Sequence, residues 1–346
     1  MGIPSSNPVA IISVWLGTSL PPLFPLWLKS VAANPDFDFL LLGDCRPDLP
    51  LPPNVTFHPI TLPQIKERAC KASGLQVSLS SPYKICDFRP LFGIMFEDML
   101  QGYDFWGHCD LDMIFGKLNL FISHDRRHQF DKLYPSGHLS LYRNTPFVNE
   151  RWKLPYAKFD VMTVLTSPAN FAFDEWDGIY NIYRRCNFPF FCQVDFAEPL
   201  SFGKRFRLLP QRSNAKYERR PRDYAEQLFY WQDGRCLRAY VDMDGQVQTD
   251  EFVYIHFQKW AFPDLDLPRI IDADAFYCLK SGFIPKQERG IPDRKTIRTL
   301  NPPRPQWLER LEYWWRRKKR HLKRKMTGTS TFASKKLKID GNSFVK

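Results

Sequence analysis

Residues 9–16 read Val-Ala-Ile-Ile-Ser-Val-Trp-Leu, a continuous apolar run that is rich in β-branched side chains. A run of this kind is typical of a strand that is buried on both faces of a parallel sheet. The sequence then predicts a short helix over 25–33 and a second apolar strand over 37–44, which ends on Gly43-Asp44. The chain therefore opens with a β-α-β unit.

The alternation of strands and helices continues to about residue 109 and then changes in character. The further elements predicted in the first part are strands at 55–60 and 103–109 and helices at 62–71 and 90–100. After about residue 200, apolar segments flank Asp233-Gly234, which is a hairpin signal, and one more strand is predicted at 252–257. We therefore predict an α/β fold with a Rossmann-related mixed sheet and an antiparallel C-terminal portion.

The positive charge of the chain is concentrated near its C-terminus. The formal net charge is +12, but residues 304–346 contain 14 basic and 3 acidic residues, so residues 1–303 are nearly neutral. A protein that binds a nucleic-acid backbone along its body is expected to carry a basic excess there. Nucleic acid is therefore an improbable partner, although a nucleic-acid-binding tail remains an alternative.

The C-terminal region predicts a Trp-rich basic amphipathic helix over 301–326, followed by a disordered tail over 327–346. The apolar residues of this helix fall on one stripe and basic residues surround them, as in helices that lie on anionic membranes. We expect a contact with an anionic membrane surface through 304–325. The alternative is a helix that packs against its own domain and has a solvated basic end.

Cysteine usage indicates the compartment. The eight Cys residues are scattered, without a C-x-x-C pair or a zinc-ligand spacing, which suggests a reducing environment. The N-terminus lacks a basic segment and a small-residue cleavage site, so we expect no secretion. The predicted location is cytoplasmic, with a peripheral position on the inner face of the membrane through the C-terminal helix.

The strongest chemical signal lies in residues 103–116, Tyr-Asp-Phe-Trp-Gly-His-Cys-Asp-Leu-Asp-Met-Ile-Phe-Gly. Asp110 and Asp112 follow an apolar strand and, two residues apart on extended backbone, point to the same side. Two adjacent carboxylates repel each other unless a cation or a proton lies between them. Mn²⁺ or Mg²⁺ would suit these ligands, whereas the alternative is a solvated strand end.

Four separated segments between residues 9 and 260 resemble the GT-A superfamily of glycosyltransferases, especially a little-characterised bacterial group associated with surface-polysaccharide synthesis. In chain order they are the first strand, Tyr83-Lys-Ile-Cys-Asp-Phe-Arg-Pro90, Trp106-Gly-His-Cys-Asp-Leu-Asp112 and Tyr254-Ile-His-Phe-Gln-Lys-Trp260. The resemblance implies a metal-dependent, hexosyltransferase-like enzyme. Its donor would be a nucleotide sugar of the UDP type, and its acceptor a glycan or a lipid-linked glycan in polysaccharide synthesis.

The resemblance also implies a division of the chain. A GT-A-like catalytic domain would cover 1–300, with a nucleotide-binding half over 1–125 and an acceptor-binding, metal-completing half over 126–300. Within the second half, residues 136–144 look like the GT-A segment that follows the metal strand and shapes the donor pocket. An ordinary strand is the alternative for that segment.

Donor-binding roles map by the same resemblance onto Lys84, Asp87 and Arg89, ahead of the Asp-x-Asp strand. Lys84 and Arg89 could neutralise phosphate charge, while Asp87 could accept hydrogen bonds from sugar hydroxyls or orient Arg89. The alternative for Asp87 is a helix cap, because Asp is a preferred capping residue and Pro90 suits a first helical turn.

His256 lies in the last predicted strand, where a neutral imidazole nitrogen can bind a metal. Several GT-A families complete the metal site with a C-terminal His that is followed shortly by a Lys, and Lys259 has this spacing. The resemblance thus makes His256 a metal ligand and Lys259 a donor-binding residue. The alternative for His256 is a hydrogen-bonded core histidine.

Acceptor-side chemistry is predicted in residues 171–178, which place Asp174 and Glu175 among aromatic side chains. Carboxylates beside aromatic rings suit sugar hydroxyls and ring faces, and one could act as a general base in an inverting enzyme. A surface turn is the alternative for this segment.

A nucleotidyltransferase acting on a sugar phosphate is the alternative enzyme class, since it can place metal-binding carboxylates at a strand end too.

Overall fold

The structure of the chain is a computed structural model that describes residues 8–209, 221–260, 262 and 267–327. The strands of its first part are β1 (Val9–Trp15), β2 (Phe37–Gly43), β3 (Val55–Pro59), β4 (Phe105–Cys109), β5 (Met113–Phe115), β6 (Lys132–Ser136), β7 (Leu139–Arg143) and β8 (Phe190–Phe191). All except β5 form one sheet, in the order β3-β2-β1-β4-β7-β6-β8. The predicted β-α-β opening therefore forms part of this central sheet.

The central sheet is mostly parallel. β1 pairs in parallel with both β2 and β4, and β2 pairs in parallel with β3. β7 then joins β4 in the antiparallel direction. The carboxyl ends of β1, β2, β3 and β4 consequently meet at one edge of the sheet, where open α/β sheets bind their ligands.

β1 contributes to two hydrophobic clusters, one on each face of the sheet. Val9 and Ile11 pack in the cluster that contains Trp27, whereas Ala10 and Ile12 belong to the cluster on the opposite face. Side chains alternate between the faces of a strand, so an apolar residue at every position requires cover on both sides. This position in the fold explains why residues 9–16 are apolar at every position except Ser13.

Within the described residues, the α-helices are short apart from three of them. They are α1 (Phe24–Ala32), α2 (Leu62–Ser73), α3 (Phe92–Met95), α4 (Leu118–Phe121), α5 (His124–Gln129), α6 (Pro146–Asn149), α7 (Val161–Thr166), α8 (Ile179–Arg185), α9 (Leu267–Ile271), α10 (Arg294–Leu300) and α11 (Gln306–Thr327). α2 has a capping box between Thr61 and Gln64 and ends at Gly74, which adopts the left-handed conformation. Both are ordinary helix-boundary signals.

The second part of the chain forms an antiparallel sheet, as predicted. Its strands are β9 (Gln227–Gln232), β10 (Arg235–Val241), β11 (Val247–Phe252), β13 (Ala275–Leu279) and β14 (Gly282–Pro285), in the order β11-β10-β9-β13-β14. Asp233 and Gly234 both have positive φ in the β9–β10 turn, as a two-residue hairpin of this type requires. β12 (Tyr254–His256) instead pairs with β5, and so joins the two parts of the chain.

The predicted helix over 90–100 is only partly correct. A 3₁₀ helix spans Pro82–Leu91, α3 follows over four residues, and a second 3₁₀ helix spans Glu97–Met99. Pro90 lacks a backbone N–H and cannot extend a regular helical hydrogen-bond ladder. The segment therefore starts earlier than predicted and presents its side chains with 3₁₀ spacing.

α11 follows α10 and packs against the body of the protein. Glu309 is buried and forms ion pairs with Arg205 and Arg207, while Tyr313 stacks on Phe202. These contacts fix one side of the helix to the body of the protein. The disordered tail was predicted over 327–346, and from residue 328 onward it lies outside the described residues. None of the described helices is long and apolar enough to cross a membrane.

Candidate active site

Asp110 and Asp112 lie in the short connection between β4 and β5, at the carboxyl edge of the parallel strands. The Asp110 N–H donates a hydrogen bond to the carbonyl of His138, at 3.1 Å, which fixes the start of the connection. Both carboxylate side chains are about one-third exposed or less. The strand thus delivers the Asp-x-Asp pair to the edge that the sequence predicted.

His256 is brought to the same place by strand pairing. β12 runs antiparallel to β5 with His256 opposite Met113, and the Phe257 N–H donates to the Asp112 carbonyl at 2.8 Å. The Nε2 atom of His256 lies 3.3 Å from Oδ1 of Asp112 and 3.7 Å from Oδ2 of Asp110. Residues separated by more than 140 positions therefore share one site.

The three side chains form a candidate metal-binding group. One ligand atom from each of Asp110, Asp112 and His256 lies within 4.8 Å of the others. His256 is 1% exposed, and neither of its ring nitrogens forms a hydrogen bond among the described residues. A buried imidazole without such a partner, aimed at two carboxylates, fits a divalent cation.

The electrostatics of His256 point in the same direction. Burial opposes the charged imidazole, but the carboxylates of Asp112, Glu198 and Asp110 outweigh burial and raise the pKa of His256 to about 10. The imidazolium then balances part of the acidic charge. A cation that binds Nε2 must replace this proton, because metal ligation requires a neutral imidazole nitrogen.

Arg89 spans the middle of the site. Its guanidinium donates to Asp110, to the Gly137 carbonyl at 2.7 Å and to Oδ2 of Asp174 at 2.9 Å. The neighbouring carboxylates outweigh burial and hold the pKa of Arg89 well above its usual value. Arg89 thus links the Asp-x-Asp segment to the segment that carries Asp174.

Asp174 and Glu175 line the same cleft, although they come from a different part of the chain. Asp174 is buried beside Gly137, where a Cβ atom would lie 2.4 Å from Oδ2 of Asp174. Burial raises the pKa of Asp174 to about 8 against the opposing effect of Arg89, and burial also raises the pKa of Glu175. Both carboxyl groups can therefore hold a proton closer to neutral pH than an exposed carboxyl can.

Lys84 and Asp87 occupy a different position from the one predicted. Lys84 Nζ donates to Asp87 at 2.7 Å and to the carbonyls of Val164 and Ala169. Asp87 also accepts the N–H groups of Phe171 and Phe173, which serves the backbone of the Asp174 segment.

Both side chains of this pair are fully buried, and neither lines the cleft. The predicted contact of Lys84 and Asp87 with a donor is therefore corrected to a structural ion pair. Asp87 is likewise not a helix cap, because Ser81 precedes the 3₁₀ helix in which it lies.

The cleft that contains the site has a volume of about 590 Å³, which is sufficient for a nucleotide-sized ligand. Its lining includes seven of the nine predicted site residues, namely Arg89, Asp110, Asp112, Asp174, Glu175, His256 and Lys259. Lys259 is exposed at the rim and has a positive φ of 62°. Apolar surface is supplied by Trp15, Tyr83 and Trp260 among others.

Glu198 contacts the site although the sequence assigned it no role, and it does so together with His138. Glu198 Oε1 lies 3.5 Å from Nδ1 of His256 and 3.5 Å from Nε2 of His138. His138 belongs to the segment predicted to shape a pocket, but Glu198 lies in irregular backbone after β8. Its sequence context has no periodicity or motif that could have identified it.

Comparison with known proteins places this chain in a family. The model of a family of unknown function, DUF6625, matches residues 11–287. The chain belongs to DUF6625. The match covers every residue of the candidate site and stops before α10 and α11.

Other comparisons add little to the DUF6625 assignment. A search of curated proteins finds no match. Similar solved structures include the apo form of mouse xyloside xylosyltransferase 1, with 8% identity, coverage of 55% of this chain and 87% of that chain, and a TM-score of 0.33. A TM-score this low does not indicate a shared function for this DUF6625 chain.

Proposed function

We propose that this chain is a metal-dependent glycosyltransferase of the GT-A type, which moves a sugar from a nucleoside diphosphate donor to a glycan or lipid-linked glycan in polysaccharide synthesis. The observation that carries the proposal is the group Asp110, Asp112 and His256 in a nucleotide-sized cleft at the carboxyl edge of parallel strands. Strand ends of this kind bind nucleotides in many α/β folds.

Asp110, Asp112 and His256 would hold Mn²⁺ or Mg²⁺, and the two carboxylates suit either ion. The imidazole favours Mn²⁺, since Mg²⁺ is usually bound through oxygen atoms. When bound, the cation would supply a positive charge for the diphosphate and offset the charge that develops on the departing nucleotide.

Arg89 and Lys259 would bind the donor phosphates. Arg89 already contacts Asp110, so its guanidinium lies next to the proposed cation site. Lys259 lies three residues after His256 at the rim of the same cleft. Two positively charged side chains in the wall of one cleft would stabilise a diphosphate by charge-assisted hydrogen bonds.

Asp174 and Glu175 would serve the acceptor side. Asp174 is buried and pairs with Arg89, so we propose that it orients the Arg89 guanidinium. It would also hold a proton near the reacting groups. Glu175 is less buried and lines the cleft, so it would accept a hydrogen bond from an acceptor hydroxyl. This is the arrangement that general-base assistance would need.

The proposed domain organisation places catalysis in residues 1–300 and membrane contact in the helix after them. At 3.6 residues per turn, the exposed apolar residues of α11 form a stripe about 100° wide; these are Trp307, Leu311, Trp314, Trp315 and Leu322. Glu309, Tyr313 and Arg316, which contact the body, lie on the opposite side. The stripe faces away from the domain.

A stripe of Trp and Leu with basic residues around it suits an anionic lipid surface. Lys318 lies over both Trp314 and Trp315, at 5.0 Å and 5.5 Å from their ring centroids. We therefore propose a cytoplasmic enzyme that lies on the inner face of the membrane, where a lipid-linked acceptor would be within reach.

A thermal-shift screen of nucleotide sugars, with and without Mn²⁺, tests the donor and the metal together, because a ligand that binds the folded state raises its apparent stability. We expect a UDP-sugar to stabilise the protein only with Mn²⁺, and a chelator to remove the effect. A shift that is equal with Mn²⁺ and with excess chelator would contradict the metal-dependent mechanism.

Product analysis then separates sugar transfer from nucleotidyl transfer. A glycosyltransferase releases a nucleoside diphosphate, whereas a nucleotidyltransferase acting on a sugar phosphate releases pyrophosphate. We expect the nucleoside diphosphate. Detection of pyrophosphate as the stoichiometric product would assign the same site to the other enzyme class.

A further inference from the structure

Glu198 lies behind His256, on the side away from the Asp-x-Asp pair. Nδ1 of His256 is 3.5 Å from Oε1 of Glu198, while Nε2 of the same ring faces Asp112 and Asp110. The imidazole therefore lies between carboxylates on two sides. Its two nitrogens have different neighbours, so they can have different roles.

Backbone pairing fixes Glu198 in this position. The Ala197 N–H donates to the Tyr254 carbonyl at 3.0 Å, and the His256 N–H donates to the Ala197 carbonyl at 2.9 Å. The segment around Ala197 thus runs parallel to β12 through an isolated bridge with Ile255. Glu198 follows directly and is held beside His256 by the same contacts.

His138 supports Glu198 from the other side. Its Nε2 lies 3.5 Å from Oε1 of Glu198, its Nδ1 lies 2.8 Å from the Tyr254 hydroxyl, and its ring stacks on His256 with centroids 4.2 Å apart. The Glu198 carboxylate is thereby placed between two buried imidazoles. This arrangement limits the directions in which Glu198 can turn.

We infer that, when a divalent cation is held by Asp110 and Asp112, Glu198 is a positioning residue that accepts the Nδ1–H of His256 and so directs the unprotonated Nε2 at that cation. This inference rests on the metal site of the proposed function. A carboxylate behind a metal-binding imidazole fixes the tautomer and the ring orientation, and makes the ligating nitrogen more basic. Glu198 itself does not touch the cation.

A second geometry is possible for the same side chains, since ligand atoms of His138, Glu198 and His256 also lie within 4.8 Å of one another. A neutral imidazole has only one unprotonated nitrogen. His256 can therefore serve that group through Nδ1 or the Asp110–Asp112 group through Nε2, but not both at once. The two carboxylates beside Nε2 favour the second group, and Glu198 then accepts a hydrogen bond from the Nδ1–H of His256.

The test measures the dissociation constant of Mn²⁺ by isothermal titration calorimetry and electron paramagnetic resonance, without a donor or turnover. We expect Glu198→Ala to raise this constant by about 10- to 100-fold, the range for loss of an outer carboxylate. Glu198→Gln should raise it less, because the amide oxygen can still accept the Nδ1–H. Melting temperatures of both variants show whether they are folded.

A double substitution decides whether Glu198 acts through His256. In a His256→Ala background, Glu198→Ala should change the Mn²⁺ affinity by less than about twofold, since coupled residues are not additive. Equal effects of Glu198→Ala in both backgrounds would overturn the inference in favour of long-range charge. A stoichiometry of two Mn²⁺ per chain would also overturn it, in favour of a second site at His138.

Failure of the inference and failure of the proposed function give different results. If the unsubstituted protein binds no Mn²⁺ or Mg²⁺ in either measurement, the metal-dependent function itself is wrong, and the inference falls with it. If the protein binds Mn²⁺ and His256→Ala weakens binding while folded Glu198→Ala does not, only the role of Glu198 is wrong.

Discussion

Two pairs of charged residues in this protein differ in how their charge is balanced. Lys84 and Asp87 have opposite charges, whereas Asp110 and Asp112 have like charges. The first pair is fully buried and electrically balanced, and four backbone groups complete its hydrogen bonds. The second pair is partly exposed, and the two positive side chains that face it, Arg89 and His256, are shared with two further carboxylates. Buried charge in a protein must be paired. The first pair meets this requirement by itself, whereas the second pair is stable because it is partly exposed and faces Arg89 and His256.

The difference separates a structural role from a functional one. A balanced pair has no remaining capacity for a ligand, and its removal should affect folding. An excess of carboxylate at the wall of a cleft leaves capacity for a cation, and its removal should affect binding with little effect on folding. The predictions below test this contrast, beginning with the largest change in free energy.

Lys84→Met should lower the free energy of unfolding by about 3–5 kcal/mol, because removal of one partner leaves the buried Asp87 carboxylate without its cation. The measurement is urea denaturation followed by circular dichroism. Lys158→Met is the matched control, since Lys158 pairs with Asp177 at the same 2.7 Å but both side chains are nearly half exposed. The control should cost less than about 1 kcal/mol.

Equal losses in Lys84→Met and in the control would show that the buried pair does not stabilise the fold. A Lys84→Met variant with native stability and a weaker affinity for nucleotide sugars would restore the donor-binding role that the sequence predicted. Either result would remove the contrast between the two pairs of charges.

Asp112→Asn should reduce sugar transfer by about 100- to 1,000-fold, the cost of removing one strong electrostatic contact in a transition state. Asp110→Asn should have a smaller effect, because Asp110 also pairs with Arg89. Asp112→Asn should lower the free energy of unfolding only slightly, because Asp112 is partly exposed, whereas Asp110→Asn should lower it more, because it removes a partner of Arg89. Release of nucleoside diphosphate in the presence of Mn²⁺ is the measurement.

Asp244→Asn provides the control for Asp112→Asn, because Asp244 is an exposed aspartate in the β10–β11 turn, away from the cleft. It should transfer sugar at the rate of the unsubstituted protein. Full activity in Asp112→Asn would remove the basis for a metal at this site, even if both aspartates lie where the sequence predicted.

His256→Ala should raise the dissociation constant of Mn²⁺ by at least about tenfold, since one ligand of the group is lost. The melting temperature should fall as well, because the substitution leaves three carboxylates without the imidazolium that faces them. His58→Ala, on the edge strand β3, is the comparison substitution and should leave Mn²⁺ affinity unchanged.

A large fall in the melting temperature of His256→Ala with unchanged Mn²⁺ affinity would instead mean that His256 is a core histidine. The comparison of balanced and unbalanced charges would then apply only to the two aspartates. Titration calorimetry and thermal unfolding of the same preparations distinguish the two cases.

The sequence predicted what local patterns determine. The apolar run of 9–16 predicted a strand buried on both faces, and the Asp-Gly dipeptide at 233 predicted a hairpin; the structure confirms both. The mixed α/β fold, with its mostly parallel central sheet and a separate antiparallel sheet, follows from such signals. The position of Asp110 and Asp112 follows as well, because the end of a strand is visible in the sequence.

Contacts between distant segments could not be predicted in the same way. The sequence indicated that Lys84 and Asp87 bind a ligand, but in the structure both side chains form hydrogen bonds with the backbone of 164–173. Glu198 has no local signal at all, since its position depends on a bridge between Ala197 and Ile255. Charges in a motif therefore indicate a role only after their partners are known.

The last prediction concerns the exposed face of α11. We expect the weakening of membrane binding to be the smallest effect per substituted residue. Deletion of the helix is a poor test, because it would leave Arg205 and Arg207 without Glu309 and so disturb the body. Trp314→Ser with Trp315→Ser removes two rings, both more than half exposed. We expect binding to anionic vesicles to weaken at least about tenfold, since burial of each large apolar side chain contributes about 1.5–3 kcal/mol.

The measurement is co-sedimentation with phosphatidylserine vesicles at low salt. Each basic residue contributes about 1 kcal/mol near an anionic surface. High salt should therefore release the unsubstituted protein by screening these residues. Met243→Ser is the control, because Met243 is 92% exposed in a hairpin and lies outside the helix. If the double Trp variant and the control sediment equally, the stripe does not contact the membrane. Residual salt-sensitive binding of the Trp variant would instead assign the contact to the basic residues alone, because charge attracts a helix to the surface whereas the two rings are needed to hold it there.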